Sequence, residues 1–81
     1  MRFTWDENKR QANLVKHGFD FDDAFQVFEG ATLTFEDDRF AYGEQRWITL
    51  GLLHGQVVVI AHTEIEDEVR VISMRQGTKH E

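Results

Sequence analysis

The period of the hydrophobic pattern changes at Gly30, and that change limits what the chain can build. Upstream, Phe21, Ala24, Phe25 and Phe28 fall at i, i+3, i+4 and i+7, the spacing of one helix face. Downstream the period is two. Ala31, Leu33 and Phe35 alternate with Thr32, Thr34 and Glu36, as on a half-buried strand. A helix stripe and a strand face each need another layer to bury against. A chain that makes helices first and strands afterwards therefore points to helices laid on a sheet.

The flanking residues fill in the order. RFTW (2–5) is rich in strand formers. Asp6 can cap a helix running to Gly18, with Glu7 near its positive end and Lys16 and His17 in its last turn. Asp20 can cap the second helix, which Gly30 ends. After the strand over 31–36 comes a polar loop, DDRFAYGEQ, in which Asp37 and Asp38 read as solvated residues. RWITLGLL and QVVVIAHT flank His54-Gly55, a hairpin signal. A second acidic turn, EIEDE, leads to VRVISM, and QGTKHE either starts a short helix or frays. The expected fold is α+β: a short N-terminal strand, then two helices packed on a small antiparallel sheet of about four strands. The far face of that sheet must be solvated or used.

Eighty-one residues make one domain, 1–81, with a modest core and room for an obligate partner. A 41% hydrophobic content with seven Phe and two Trp is that of a folded chain. The absence of Cys excludes disulfides and thiolate metal sites and fits a reducing cytoplasm. No run approaches the ~18 apolar residues of a membrane span, and MRFTWDENKR lacks a signal-peptide core. A net charge of −6 argues against a general nucleic-acid coat. It leaves open a locally basic cleft or a basic protein partner.

Three arginines on strands need a reason, because arginine keeps its charge and its burial demands a partner. Arg46 shares a strand face with Ile48, Leu50 and Leu52, and Arg70 shares one with Ile72 and Met74. On a regular strand Arg75 points away from Arg70; it joins the same cleft only if the strand bends or ends near Ser73. The plain account is ion pairing at strand ends with Glu36, Glu44, Glu66 or Glu68. The histidines His17, His54, His62 and His80 include no i, i+4 ligand pair, so no metal is expected. His62 and Glu64 share a strand face. No glycine-rich phosphate loop is present, and Ser73 has no assignable base.

Residues 5–24 read W-D-x-x-K-x-x-x-N-L-x-K-H-G-x-x-F-x-x-A, on Trp5, Asp6, Lys9, Asn13, Leu14, Lys16, His17, Gly18, Phe21 and Ala24. E-x-R-W-x-x-x-G follows on Glu44, Arg46, Trp47 and Gly51, then R-x-I-S-x-R-x-x-T on Arg70, Ile72, Ser73, Arg75 and Thr78. This ordered set resembles the BrnT family of bacterial type II toxins, a branch of the RelE-like ribonucleases. The resemblance implies a metal-independent RNA endonuclease without cofactors that blocks translation. It also implies a cognate BrnA-type antitoxin with a ribbon-helix-helix DNA-binding domain. Operator DNA would be met only through that antitoxin; homodimer formation stays open. Arg46, Arg70 and Arg75 match motif positions and would bind phosphate in the transition state. Glu44 would be the general base or the carboxylate that orients Arg46, with His17 and His80 as the other candidates for the base. Lys16, His17 and Lys79 would touch the RNA backbone. Members of that family continue a few residues past the position of Glu81, so a shortened last element is expected.

Two other readings compete. A catalytically degenerate module that only binds an antitoxin predicts all three arginines tied up in carboxylate pairs. A DNA-binding helix-turn-helix over 6–17 and 20–29 would place Asp22 and Asp23 where base contacts are made. The ribonuclease predicts at least two guanidinium groups converging on one accessible concavity.

Overall fold

A computed structural model gives the fold and describes residues 1–39, 41 and 43–78. The order is β1 (Arg2–Thr4), α1 (Glu7–His17), a 3-10 turn (Phe21–Asp23) leading into α2 (Ala24–Glu29), β2 (Leu33–Asp37), β3 (Arg46–Leu53), β4 (Gln56–Ile65) and β5 (Glu68–Gln76). The strands form one sheet in the order β1-β5-β4-β3-β2. β1 pairs with β5 in parallel and the other pairs are antiparallel. The α+β layering matches the sequence reading, but the sheet is mixed and five-stranded. The N-terminal strand joins the C-terminal one and closes the domain.

The local signals act as their chemistry requires. Asp6 caps α1 by accepting the Lys9 N–H at 3.1 Å. Gly18 ends α1 at φ 77°, and its N–H returns to the Leu14 carbonyl at 2.9 Å. His54 and Gly55 both take positive φ, as a two-residue hairpin turn requires. Arg10 then ties the end of α1's first turn to the next element: its Nε and Nη2 donate to Asp20 at 2.7 and 2.9 Å, and its Nη1 donates to Glu7 at 2.7 Å.

The second helix departs from its expected phase. Its buried residues are Phe21, Ala24 and Val27, while Phe25 is 44% exposed. The 3-10 start is the cause, since each of its residues turns the chain about 20° further than an α-helical residue does. The face that meets the sheet is therefore Phe21, Ala24 and Val27, with the expected Phe28 half-buried at its margin against Phe3 and His62. Where α2 crosses β3, Gly51 permits the contact: a Cβ there would lie 2.5 Å from Val27 Cγ1.

The core joins Phe21, Ala24 and Val27 to Leu53, Val58, Ile60, Val71 and Met74, with Phe3, Trp5, Phe19 and Phe28 at its margin. α1 contributes through one polar residue. β1 accompanies β5 only as far as Arg70, which leaves the later edge of β5 without a strand. Asn13, buried on α1, takes its place. Its Oδ1 accepts the Met74 N–H at 3.1 Å, and its Nδ2 donates to the Met74 carbonyl at 2.9 Å and the Phe19 carbonyl at 3.1 Å. His62 is fully buried on the helix-covered face, with Nε2 2.7 Å from Thr49 Oγ1 and Phe28 packed edge-on. Glu64 Oε1 lies 3.6 Å from His62 Nδ1. Burial pushes the imidazole down from 6.5 to about 4.

Two outcomes follow for stability. Asn13→Ala leaves two backbone groups of Met74 unsatisfied and should cost about 3 kcal/mol; a loss under about 1 kcal/mol by urea unfolding would contradict that role. Because the His62 pKa is lower folded than unfolded, the unfolded chain gains a proton first as pH falls. The contribution of neutral His62 is complete above about 6.5 and is lost as pH falls from there toward about 4. The loss should be on the order of 3 kcal/mol. Urea midpoints across that range should show it in the native chain and not in His62→Gln; parallel curves would remove His62 as the cause.

Candidate nucleic-acid interface

The feature that arranges the candidate residues is a β-bulge. Ala61 pairs with Ser73, yet His62 pairs with Val71, so Ile72 is an extra residue in β5. A bulge shifts the alternation of side chains by one. Val69, Val71 and Met74 therefore all turn to the helices, while Glu68, Arg70, Ser73 and Arg75 share the face that no helix covers, on which Ile48, Val59 and Thr63 are buried. This corrects the expectation that Arg70 sides with Ile72 and Met74 against Arg75. The signal was present as a three-residue step, Val71 to Met74, in an otherwise two-residue apolar pattern.

The register sets out the rest of the uncovered face. Arg70 is opposite Thr63, and Arg75 is opposite Val59. Arg46 precedes Trp47, the partner of His62, and is itself opposite Asp37 on β2. Continuing the register by one residue sets Arg46 level with Thr63, so Arg46 and Arg70 flank that threonine at two strand spacings, about 10 Å. Arg75 lies toward β2 and β3. With Phe35, Ile48, Asp37 and Arg39 it lines a concavity of about 190 Å³. A second concavity, of about 420 Å³, is lined by Arg46 and four carboxylates, Glu36, Asp37, Asp38 and Glu44. Arg46 and Arg75 thus line different concavities, and Arg70 lines neither. A larger one, of about 490 Å³, lies between Arg2 and the acidic turn Glu66–Glu68.

Ion pairing differs among the three arginines. Arg46 Nε stands 3.7 Å from Glu44 Oε1, with the arginine side chain 25% exposed. Glu68 is engaged by Arg2 and by Thr4 Oγ1 at 3.1 Å. Those hydrogen bonds, Arg2 first, and the charge of Arg70 hold its carboxyl below the usual carboxylate range. Among the described residues Arg70 makes no ion pair within 4 Å and is exposed.

Not every sequence candidate joins this face. Lys16 and His17 lie in the last turn of α1, where cations complement the helix C-terminus. Neither lines either arginine concavity. Lys79 and His80 fall outside the described residues. One side chain was misread. Asp37, expected to be solvated, is 2% exposed and holds Arg39 Nε at 2.8 Å and Nη2 at 3.1 Å. A loop aspartate gives no sequence sign of burial when its partner is two residues away.

Fold and surface together define a small two-layer α+β protein whose helix-free sheet face carries three arginines among carboxylates. Residues 5–81 match the family model described as ribonuclease toxin, BrnT, of type II toxin-antitoxin system. The chain belongs to that family of toxins. Its fold is similar to the crystal structure of the Brucella abortus ribonuclease toxin BrnT: TM-score 0.74 and 30% identity over 98% of this chain and 99% of that one. A search of curated protein sequences finds no match.

The exposure of Arg70 makes a clear expectation. Arg70→Ala should change unfolding free energy by no more than about 0.5 kcal/mol. A loss of 2 kcal/mol or more in denaturant would mean that Arg70 holds the sheet together.

Proposed function

We propose that this chain is a metal-independent endoribonuclease that cleaves RNA through the substrate's own 2′-hydroxyl and so blocks translation. The observation that carries the proposal is the bulge that turns Arg70 and Arg75 to the face that Arg46 occupies. In such a reaction the 2′-oxygen attacks phosphorus and the bond to the 5′-oxygen breaks. The products are a 2′,3′-cyclic phosphate and a 5′-hydroxyl end. The barrier lies in gathering extra negative charge on a five-coordinate phosphorus. Guanidinium groups stabilise that charge through paired hydrogen bonds and need no proton transfer of their own.

Arg46 and Arg70, on either side of Thr63, are assigned the phosphate in flight, and Arg75 a flanking phosphate. Glu44, beside Arg46, takes the proton of the 2′-hydroxyl or orients that guanidinium. Lys79 is assigned a contact to the RNA backbone; Lys16 and His17 are not included. The cognate antitoxin is proposed to be of the BrnA type, with a ribbon-helix-helix domain that alone contacts operator DNA, and the site of action to be the cytoplasm. Leu33, Phe35, Leu52 and Val57 are 65%, 48%, 61% and 39% exposed, surface that a protein partner would cover. That surface would also serve the second reading, an antitoxin-binding module without catalysis.

Cleavage separates the two. Purified protein should cut RNA in the presence of EDTA and leave cyclic-phosphate ends, and Arg46→Ala with Arg70→Ala should slow it at least about 100-fold. In cells, induction should arrest growth with fragmented RNA for the native chain only. A native chain that is folded and leaves RNA intact would turn the assignment to the interaction module.

A further inference from the structure

We propose that Arg39 is a further phosphate-binding side chain of this face, and that Asp37 is the positioning residue that holds it. The inference rests on the ribonuclease reading and extends it to a bound strand. Asp37 ends β2 as the partner of Arg46. Its side chain is 2% exposed, although the neighbouring Asp38 is exposed. Burying a carboxylate is costly unless it is paired with good geometry. Arg39 supplies that geometry, fork to fork, through Nε at 2.8 Å and Nη2 at 3.1 Å.

The pair is lopsided. The Asp37 side chain is buried while that of Arg39 is 63% exposed. The carboxylate thus fixes one edge of the guanidinium and leaves the group at the surface, oriented. Arg39 lines the same concavity of about 190 Å³ as Arg75. Glu36 and Asp38 also line this concavity; without Arg39, three carboxylates would face Arg75 and repel a phosphate. Phe35, 48% exposed, forms part of the same wall and offers a ring for a base to stack on. Arg39, oriented by Asp37, and Arg75 beside an accessible aromatic ring fit one nucleotide of a single strand, with phosphate at the arginines and base at Phe35.

The test uses a short 2′-O-methyl RNA, which lacks the attacking hydroxyl, as a binding probe, beside cleavage of ordinary RNA. Arg39→Gln should weaken probe binding roughly tenfold and reduce the log–log salt slope by about 0.7. Arg39→Lys should keep the native slope and recover part of the affinity, because it restores charge without the fork. Asp37→Asn, confirmed as folded by circular dichroism, should lose affinity severalfold with the native slope, since the charge remains but its orientation is lost. A native chain that cleaves RNA while Arg39→Gln binds and cleaves equally well would overturn this inference and leave the ribonuclease intact. A folded native chain that neither binds nor cleaves would overturn the ribonuclease reading and this inference with it.

Discussion

One extra residue in β5 decides which side chains this protein shows to solvent. Ile72 sits between two pairs, Ala61–Ser73 and His62–Val71, and shifts the alternation of the strand by one. On one side of the sheet the shift keeps Val69, Val71 and Met74 in the core. On the other it sets Arg70 and Arg75 on one surface. A regular strand would have to bury one arginine or expose one core residue. Burying an unpaired charge is far more costly than interrupting a ladder hydrogen bond, so the bulge is the cheaper arrangement.

The remaining structure supports that surface from behind. α2 is pressed against β3 at Gly51, and α1 closes the open edge of β5 through Asn13. β1 covers the start of that same edge by pairing with β5 as far as Arg70, and β4 holds the other edge. The strand that carries two of the three candidate arginines is thus held along both edges and on one face. Arginine side chains on such a platform keep their starting points fixed and spend little order on binding an anion. Membership of a type II toxin family gives that surface a context: a toxin that must be held by a protein partner.

Much of this was legible in the sequence. The change of period at Gly30, the Asp6 and Gly18 caps and the His54-Gly55 turn are local signals, and each forms as expected. What the sequence withheld depends on pairing between distant segments. β1 finds β5 across more than sixty residues, and no local pattern announces it. The 3-10 start of the second helix moved its buried face from Phe25 to Val27. Arg46, Arg70 and Arg75 could be named from motif positions, but their common face required the register. Asp37 was read as solvated because its burial depends on Arg39 and on the strand that carries Arg46.

The claim that the uncovered arginine face is an RNA surface is tested most directly by NMR of the arginine Nε–H groups during titration with a non-cleavable 2′-O-methyl RNA. The account predicts that the signals of Arg46, Arg70 and Arg75 move together and saturate at one concentration. Arg10, locked to Asp20 and Glu7 among the helices, should stay in place. Movement of Arg10 in step with the others, or no movement of the three, would contradict a single RNA-binding face on this side of the sheet.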